Sequence, residues 1–200
     1  MADEKLDTQI RREQIAEAAL GLVAAQGLRK LSIAAVARRV GLVPSGLYRH
    51  FKSKDEIIDA VLDVVEKRLM TNVVEARGEN DNPVEALRGV LMRHVKFIRE
   101  GRAIPRLIFS DDMHGGHPDR KQRVLRIIRG YAGAVAEIVQ QGQRQGLIRT
   151  DLDPEMVVIM ILGTVVPAGI LWHLTDGGFD VTRHAQRVWP LLERAVGPPA

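Results

Sequence analysis

Two hundred residues suffice for a sizeable buried core, and the absence of cysteine removes disulfides, thiolate metal sites and cysteine nucleophiles together, which fits a reducing cytoplasm. The formal net charge of +4 is unevenly placed: residues 1–54 carry ten basic and five acidic side chains, the remainder nineteen and twenty. From Ala18 to Lys54 the chain has Arg29, Lys30, Arg38, Arg39, Arg49, Lys52 and Lys54 and no Asp or Glu. That is the footprint of a phosphate-binding surface, although a merely solvated basic face has the same composition.

The start, MADEKLDTQI, has no apolar stretch behind a basic cluster and is read as a flexible polar tail (residues 1–9) rather than a secretory signal. Beyond it the chain is governed by helical periodicity. Ile15, Ala18, Ala19, Leu22 and Val23 share one face of a helix over about 10–26, ended by Gly27. Ser32 can cap a short second helix with Val36, Ala37 and Val40 inward, and Gly41 breaks it. Pro44 opens a third, to about Phe51. Ser53-Lys54-Asp55-Glu56 is a capping box that starts a long helix to about Ala76. Pro83 opens the next, with Val84, Leu87, Leu91, His94 and Ile98 on its apolar face. A short piece at about 105–110 leads into the loop Asp111 to Asp119, and a helix over about 120–145 is expected to turn Val124, Ile127, Ile128, Tyr131, Val135 and Ile138 inward. Asp153 caps a further helix with Pro154 in its first position, and a last helix spans about 181–196. No strand and no repeat is expected.

Two short helices joined by a glycine turn and braced by a third have helix-turn-helix geometry, in which the second helix of the pair enters the DNA major groove. That helix would present Ser45, Gly46, Tyr48 and Arg49, with Leu47 and Phe51 facing the core. Arg49 has the chemistry to read guanine through a bidentate pair. Ser45 can donate to a base or a phosphate, Tyr48 and His50 can hydrogen-bond phosphates, and Lys52 and Lys54 add charge. For Tyr48 the alternative is packing against the head, and for Arg49 plain solvation.

These residues carry a resemblance. Gly27, Ser32, Val36-Ala37, Gly41-Leu42, Leu47-Tyr48-Arg49-His50-Phe51 and Lys52-Ser53-Lys54-Asp55-Glu56 match, without a gap, the DNA-binding head of the tetracycline-repressor-like (TetR) family. The chain resembles that family over about residues 10–60. It departs at Val23, where an aromatic is usual, and at Val43, where a capping Ser or Thr is usual; Val43 is therefore left out of the contacts. The resemblance implies DNA contacts from Ser32, Pro44, Ser45, Gly46, Tyr48, Arg49, His50 and Lys54. It also implies an all-α fold of about nine helices: a helix-turn-helix domain over 10–52, a helical regulatory and dimerisation domain over 53–196 and a tail at 197–200. The implied function is a ligand-responsive transcriptional repressor, released from a palindromic double-stranded DNA operator by a small-molecule effector.

Met156 to Leu174 is nineteen residues without Asp, Glu, Lys or Arg, long and apolar enough to be a membrane span. Flanking acidic residues, Pro167 and His173 argue instead for a helix buried on all sides, partly by a second copy. In the homodimer that the resemblance implies, Met160, Thr164 and Leu171 on this helix and Trp189, Leu192 and Val196 on the last form the interface, with no membrane partner. His94, Phe97, Phe109, Met113 and Tyr131 could line an effector cavity, and ordinary core packing explains each equally well. The Ile, Val, Leu and Met content favours a hydrophobic or amphipathic effector. His114 and His117 among the aspartates of the 111–119 loop lack a regular ligand spacing, so the loop is read as polar, with no metal. No phosphate-binding glycine loop, HExxH or G-x-S-x-G occurs, so no catalytic residue or cofactor is assigned, and the chain is expected to be a cytoplasmic non-enzyme.

Overall fold

The computed structural model describes residues 2–100 and 118–198. Among these residues it is all-helical, with eight α-helices: α1 (Ala2–Gln26), α2 (Ile33–Arg39), α3 (Pro44–Leu47), α4 (Lys54–Glu79), α5 (Pro83–Glu100), α6 (Pro118–Arg144), α7 (Pro154–Leu174) and α8 (Val181–Val196). The short piece expected near 105–110 lies outside the described residues. Helix α1 begins at Ala2, so residues 2–9, read as a flexible tail, are helical. No proline or glycine interrupts the chain from Ala2 to Leu20, and Ala, Glu, Lys, Leu and Gln are all good helix formers.

The chain forms two compact units, dividing inside α4 after Lys67 and inside α6 after Val124. The first therefore keeps the leading half of α4, whereas the sequence suggested a boundary at residues 52–53. Its core is made by Ile15, Ala19 and Val23 of α1, Val36 and Ala37 of α2, and Leu47, Phe51, Ile57 and Val61, none of them appreciably exposed. Burying each large side chain contributes roughly 1.5–3 kcal/mol. Val23 is fully buried although it is smaller than the usual aromatic.

The turn between α2 and α3 depends on Gly41, whose φ of 70° is strained for any residue with a Cβ. Leu42 N–H bonds the Ala37 carbonyl at 2.9 Å and Gly41 N–H the Arg38 carbonyl at 3.4 Å. This is a Schellman ending, which closes α2 and fixes the direction of the chain into α3.

In the second unit, α5, α7 and α8 pack on one another. Leu87, Leu91 and Ile98 of α5 meet a core built with Val158, Ile161 and Val165 of α7 and Ala185, Trp189, Leu192 and Val196 of α8. Asp153 caps α7 by accepting from Glu155 and Met156 N–H at 2.8 and 3.1 Å, with Pro154 in the first turn. Asp180 caps α8 through Arg183 N–H at 2.9 Å. Gln143 donates to the carbonyls of Arg149 and Leu152 at 3.1 and 2.8 Å, which secures the α6–α7 connection.

Candidate nucleic-acid interface

The head positions its exposed residues by burying their neighbours. Leu47 and Phe51, one helical turn apart, are fully buried. Pro44, Ser45, Tyr48 and Arg49 are consequently turned outward, with Tyr48 48% exposed. Helix α3 proper is only four residues long, shorter than the expected eight. Hydrogen-bonded turns continue it, Phe51 N–H reaching the Leu47 carbonyl at 3.0 Å. Val43 stands at its N-cap with no side-chain bond and is 66% exposed. The missing hydroxyl leaves an amide unfilled, at a cost of about 1 kcal/mol.

Ser32 Oγ accepts from Ala35 N–H at 3.1 Å, so this exposed hydroxyl is engaged as the cap of α2. The capping box at α4 forms with a shift of one residue. Ser53 Oγ accepts from Glu56 N–H at 3.2 Å, but Glu56 reaches back to Lys52 N–H at 2.8 Å rather than to Ser53. The two lysines are partly occupied: Lys52 Nζ donates to the Tyr48 carbonyl and Lys54 Nζ to the Leu28 carbonyl, each at 3.1 Å. Lys54 thus braces the α1–α2 connection.

Two supports were not anticipated from the sequence. Arg12 of α1 donates to the His50 carbonyl and lies over the Phe51 ring, 4.1 Å from its centroid, locking the end of the α3 segment. His50 Nδ1 is buried without a hydrogen-bond partner. Burial, then the neighbouring Arg11, Arg12 and Arg49, hold this imidazole below its ordinary pKa and keep it neutral at pH 7. The second support is an acidic ladder on α4, Asp55, Asp59 and Asp63, one helical turn apart. The buried Arg120 of α6 donates to Asp55 at 2.9 Å and lies 3.5 Å from Asp59, and Arg123 pairs with Asp63. Periodicity along a single helix cannot reveal either contact, because each joins distant parts of the chain.

The residues assigned to an effector cavity fall in the second unit where they are described. Phe97 and Tyr131 are buried and His94 is half-buried. His94 Nδ1 lies 3.1 Å from Tyr131 Oη, and the rings stack with centroids 5.6 Å apart. Phe109 and Met113 lie outside the described residues, as does the 111–117 part of the loop weighed for metal. Burial lowers the His94 pKa to about 4 and raises that of Tyr131, so both are neutral at pH 7. An unfolded chain takes up a proton on this histidine below about pH 6.5, where the folded one does not. Stability therefore falls with pH across that window, by about 2 kcal/mol at pH 5. Urea unfolding of His94→Gln should show a shallower loss between pH 7 and pH 5 than wild type. Parallel profiles would mean that His94 titrates normally in the fold.

The interface residues chosen from sequence divide. Leu171 is exposed, and Met160 and Thr164 are half-buried. Trp189, Leu192 and Val196 are buried inside their own subunit at 4%, 6% and 2% exposure, and this corrects their assignment to a partner-facing surface. They belong to the stripe Val181, Ala185, Trp189, Leu192 and Val196, which α8 turns onto its own unit. On α7 and α8 the exposed large apolar residues are Met156, Ile159, Val166, Ile170, Leu171, Leu174 and Leu191, while on α6 Leu125 and Ile128 are also exposed, Ile128 against the inward position expected for it. Helix α7 is long and apolar enough to cross a membrane, and a third of its most apolar window is buried.

Comparison with known proteins agrees with this arrangement. Residues 15–61 match the family model of bacterial regulatory proteins of the tetR family, and residues 80–196 match a tetracyclin repressor-like C-terminal domain. The chain is 22% identical over 183 residues to the fatty acid metabolism regulator protein of Bacillus subtilis (strain 168), covering 92% of this chain and 94% of that one. It is 21% identical over 187 residues to the nucleoid occlusion factor SlmA of Vibrio vulnificus (strain YJ016), covering 93% and 95%. The solved structure of FadR from Bacillus subtilis in complex with stearoyl-CoA superposes with a TM-score of 0.75 at 22% identity, covering 92% of this chain and 98% of that one. With both family models matched along one chain, the protein belongs to the tetR family of bacterial regulatory proteins.

Proposed function

We propose that this protein is a cytoplasmic, homodimeric transcriptional repressor without catalytic activity, released from a palindromic operator by a hydrophobic or amphipathic effector. The observation that carries the reading is the outward set Ser45, Tyr48 and Arg49 on the second helix of a helix-turn-helix, within a stretch that has no acidic residue from Ala18 to Lys54. Arg49 reads a base, while Ser32, Pro44, Ser45, Gly46, Tyr48, His50 and Lys54 hold the backbone and fix the register. A two-fold dimer presents two such helices to successive half-sites, and the exposed apolar residues of α7 supply the dimer contact. The effector binds in the second unit, around His94, Phe97 and Tyr131. It shifts the population towards a conformer whose recognition helices no longer match the operator, a coupling of about 1–3 kcal/mol. Helix α4 continues without a break from the first unit into the second and links them covalently. A relative crystallised with stearoyl-CoA makes that thioester a suitable first probe.

The test is a DNase footprint over the promoter regions flanking the gene, with and without stearoyl-CoA. One protected inverted repeat, lost as an effector is added, is the expected result. No protection at micromolar protein would sink the repressor reading. Many dispersed sites with no effector response would favour the nucleoid role named for SlmA.

A further inference from the structure

Among the described residues Arg120, near the start of α6, is the one charged side chain that is buried. It is 5% exposed, whereas its partners Asp55 and Asp59 are 55% and 48% exposed. A buried guanidinium gives up its hydration, and carboxylates that stay half in water return only part of it. The Arg120 Nε, 3.5 Å from Asp59, makes no hydrogen bond. Such an ion pair adds little to stability over an apolar side chain of similar length. What arginine supplies here, and methionine does not, is direction.

That direction comes from a ladder. Arg120 Nη2 donates to Asp55 at 2.9 Å. Arg123, one turn further along α6, lies 3.7 Å from Asp59 and donates to Asp63. The three aspartates follow one another at four-residue intervals on α4, and the next position in that row is Lys67. A slip of one turn towards the end of α4 would set Arg123 against Lys67. A slip the other way would carry Arg120 past the first turn. One register therefore pairs both arginines, and all of these residues belong to the first compact unit.

Asp55 joins the ladder to the DNA-facing segment. It stands in the first turn of α4 between Lys54, which donates to the Leu28 carbonyl at 3.1 Å, and Glu56, which accepts from Lys52 N–H at 2.8 Å. Lys52 directly follows Phe51, the buried end of the recognition segment. The first turn of α4 is thus tied both to the recognition segment and to α6.

We propose that Arg120 is a positioning residue for operator recognition. Through Asp55 it fixes the first turn of α4, and with it the placement of the recognition segment. It contributes to discrimination between sequences rather than to stability or to general DNA affinity. Base readout depends on the placement of donors and acceptors, whereas non-specific binding depends on charge. The inference rests on the repressor reading above and adds to it a residue outside the helix-turn-helix.

The test starts from a library of duplexes with a random core. Binding is then measured to the duplex that wild type enriches and to a shuffled copy of it. Wild type should prefer the enriched duplex by about a thousandfold. Arg120→Met should bind the shuffled copy as wild type does and lose about tenfold of the preference, the scale of one mismatched base pair. Asp55→Ala, a change at a half-exposed position, should show the same loss, and the double variant should lose no more than either. Arg120→Met should melt within about 5 °C of wild type. A larger fall in Tm would make Arg120 a structural residue and overturn the proposal. So would an unchanged preference, an equal loss on both duplexes, or additive losses in the double variant, and each of these leaves the repressor reading standing. A wild type that enriches no sequence would count against both.

Discussion

Replacing Trp189 by alanine should destabilise the subunit itself by about 3–5 kcal/mol, the usual cost of emptying a buried aromatic position. Its side chain is 4% exposed and sits among residues of its own unit, so the loss is one of folding and shows as a lower urea midpoint at every protein concentration. Ile159→Glu should behave differently. Ile159 is 59% exposed on α7, and a carboxylate there leaves the subunit core intact. If the outer face of α7 is covered by a second copy, this variant sediments as a folded monomer with native helical circular dichroism and binds operator far more weakly, because one half-site is lost. The two variants separate a core residue from a partner-facing one. A Trp189→Ala protein of wild-type stability would contradict the packing of α8, and an Ile159→Glu protein that still sediments as a dimer would place the interface elsewhere.

Arg49→Ala should weaken operator binding by about 1–3 kcal/mol and relax preference at one base position of each half-site. The guanidinium is exposed beside Tyr48 and Ser45, and its removal empties no core position, so the melting temperature should stay within a degree or two. Binding to a panel of operators, each changed at a single base pair, reads the outcome. A uniform loss on every sequence, with a shallower dependence on salt, would mean that Arg49 contacts phosphate alone. Unchanged binding would remove it from the interface.

Much of the head was legible in the sequence because its determinants are local. A cap, a C′ glycine and a proline act within one turn, so Ser32, Gly41, Pro44, Ser53 and Asp153 each mark a helix end that the structure contains. The empty cap at Val43 was legible for the same reason. The length of α1 was not, since a polar start of good helix formers reads equally well as tail or helix. Nor were the ties of Arg12 to His50 and of Arg120 to Asp55, which join residues far apart in the chain.

The sequence alone determined an all-helical chain, its basic acid-free head and the outward face of the recognition segment, because amphipathic period and capping chemistry are written in neighbouring residues. Only the tertiary structure decided which apolar surface each helix spends on its own subunit. Helix α8 carries one apolar stripe, and periodicity cannot say whether that stripe meets the same chain or another; packing turns Trp189, Leu192 and Val196 inward and leaves the side of α7 with Ile159 and Leu174 exposed. The buried side-chain nitrogen of Asn72 and the Nε of Arg93, which make no hydrogen bond, belong to the same class of fact. Whether a buried polar group is satisfied depends on what lies across from it in space, and that is set by the register of two helices rather than by either one.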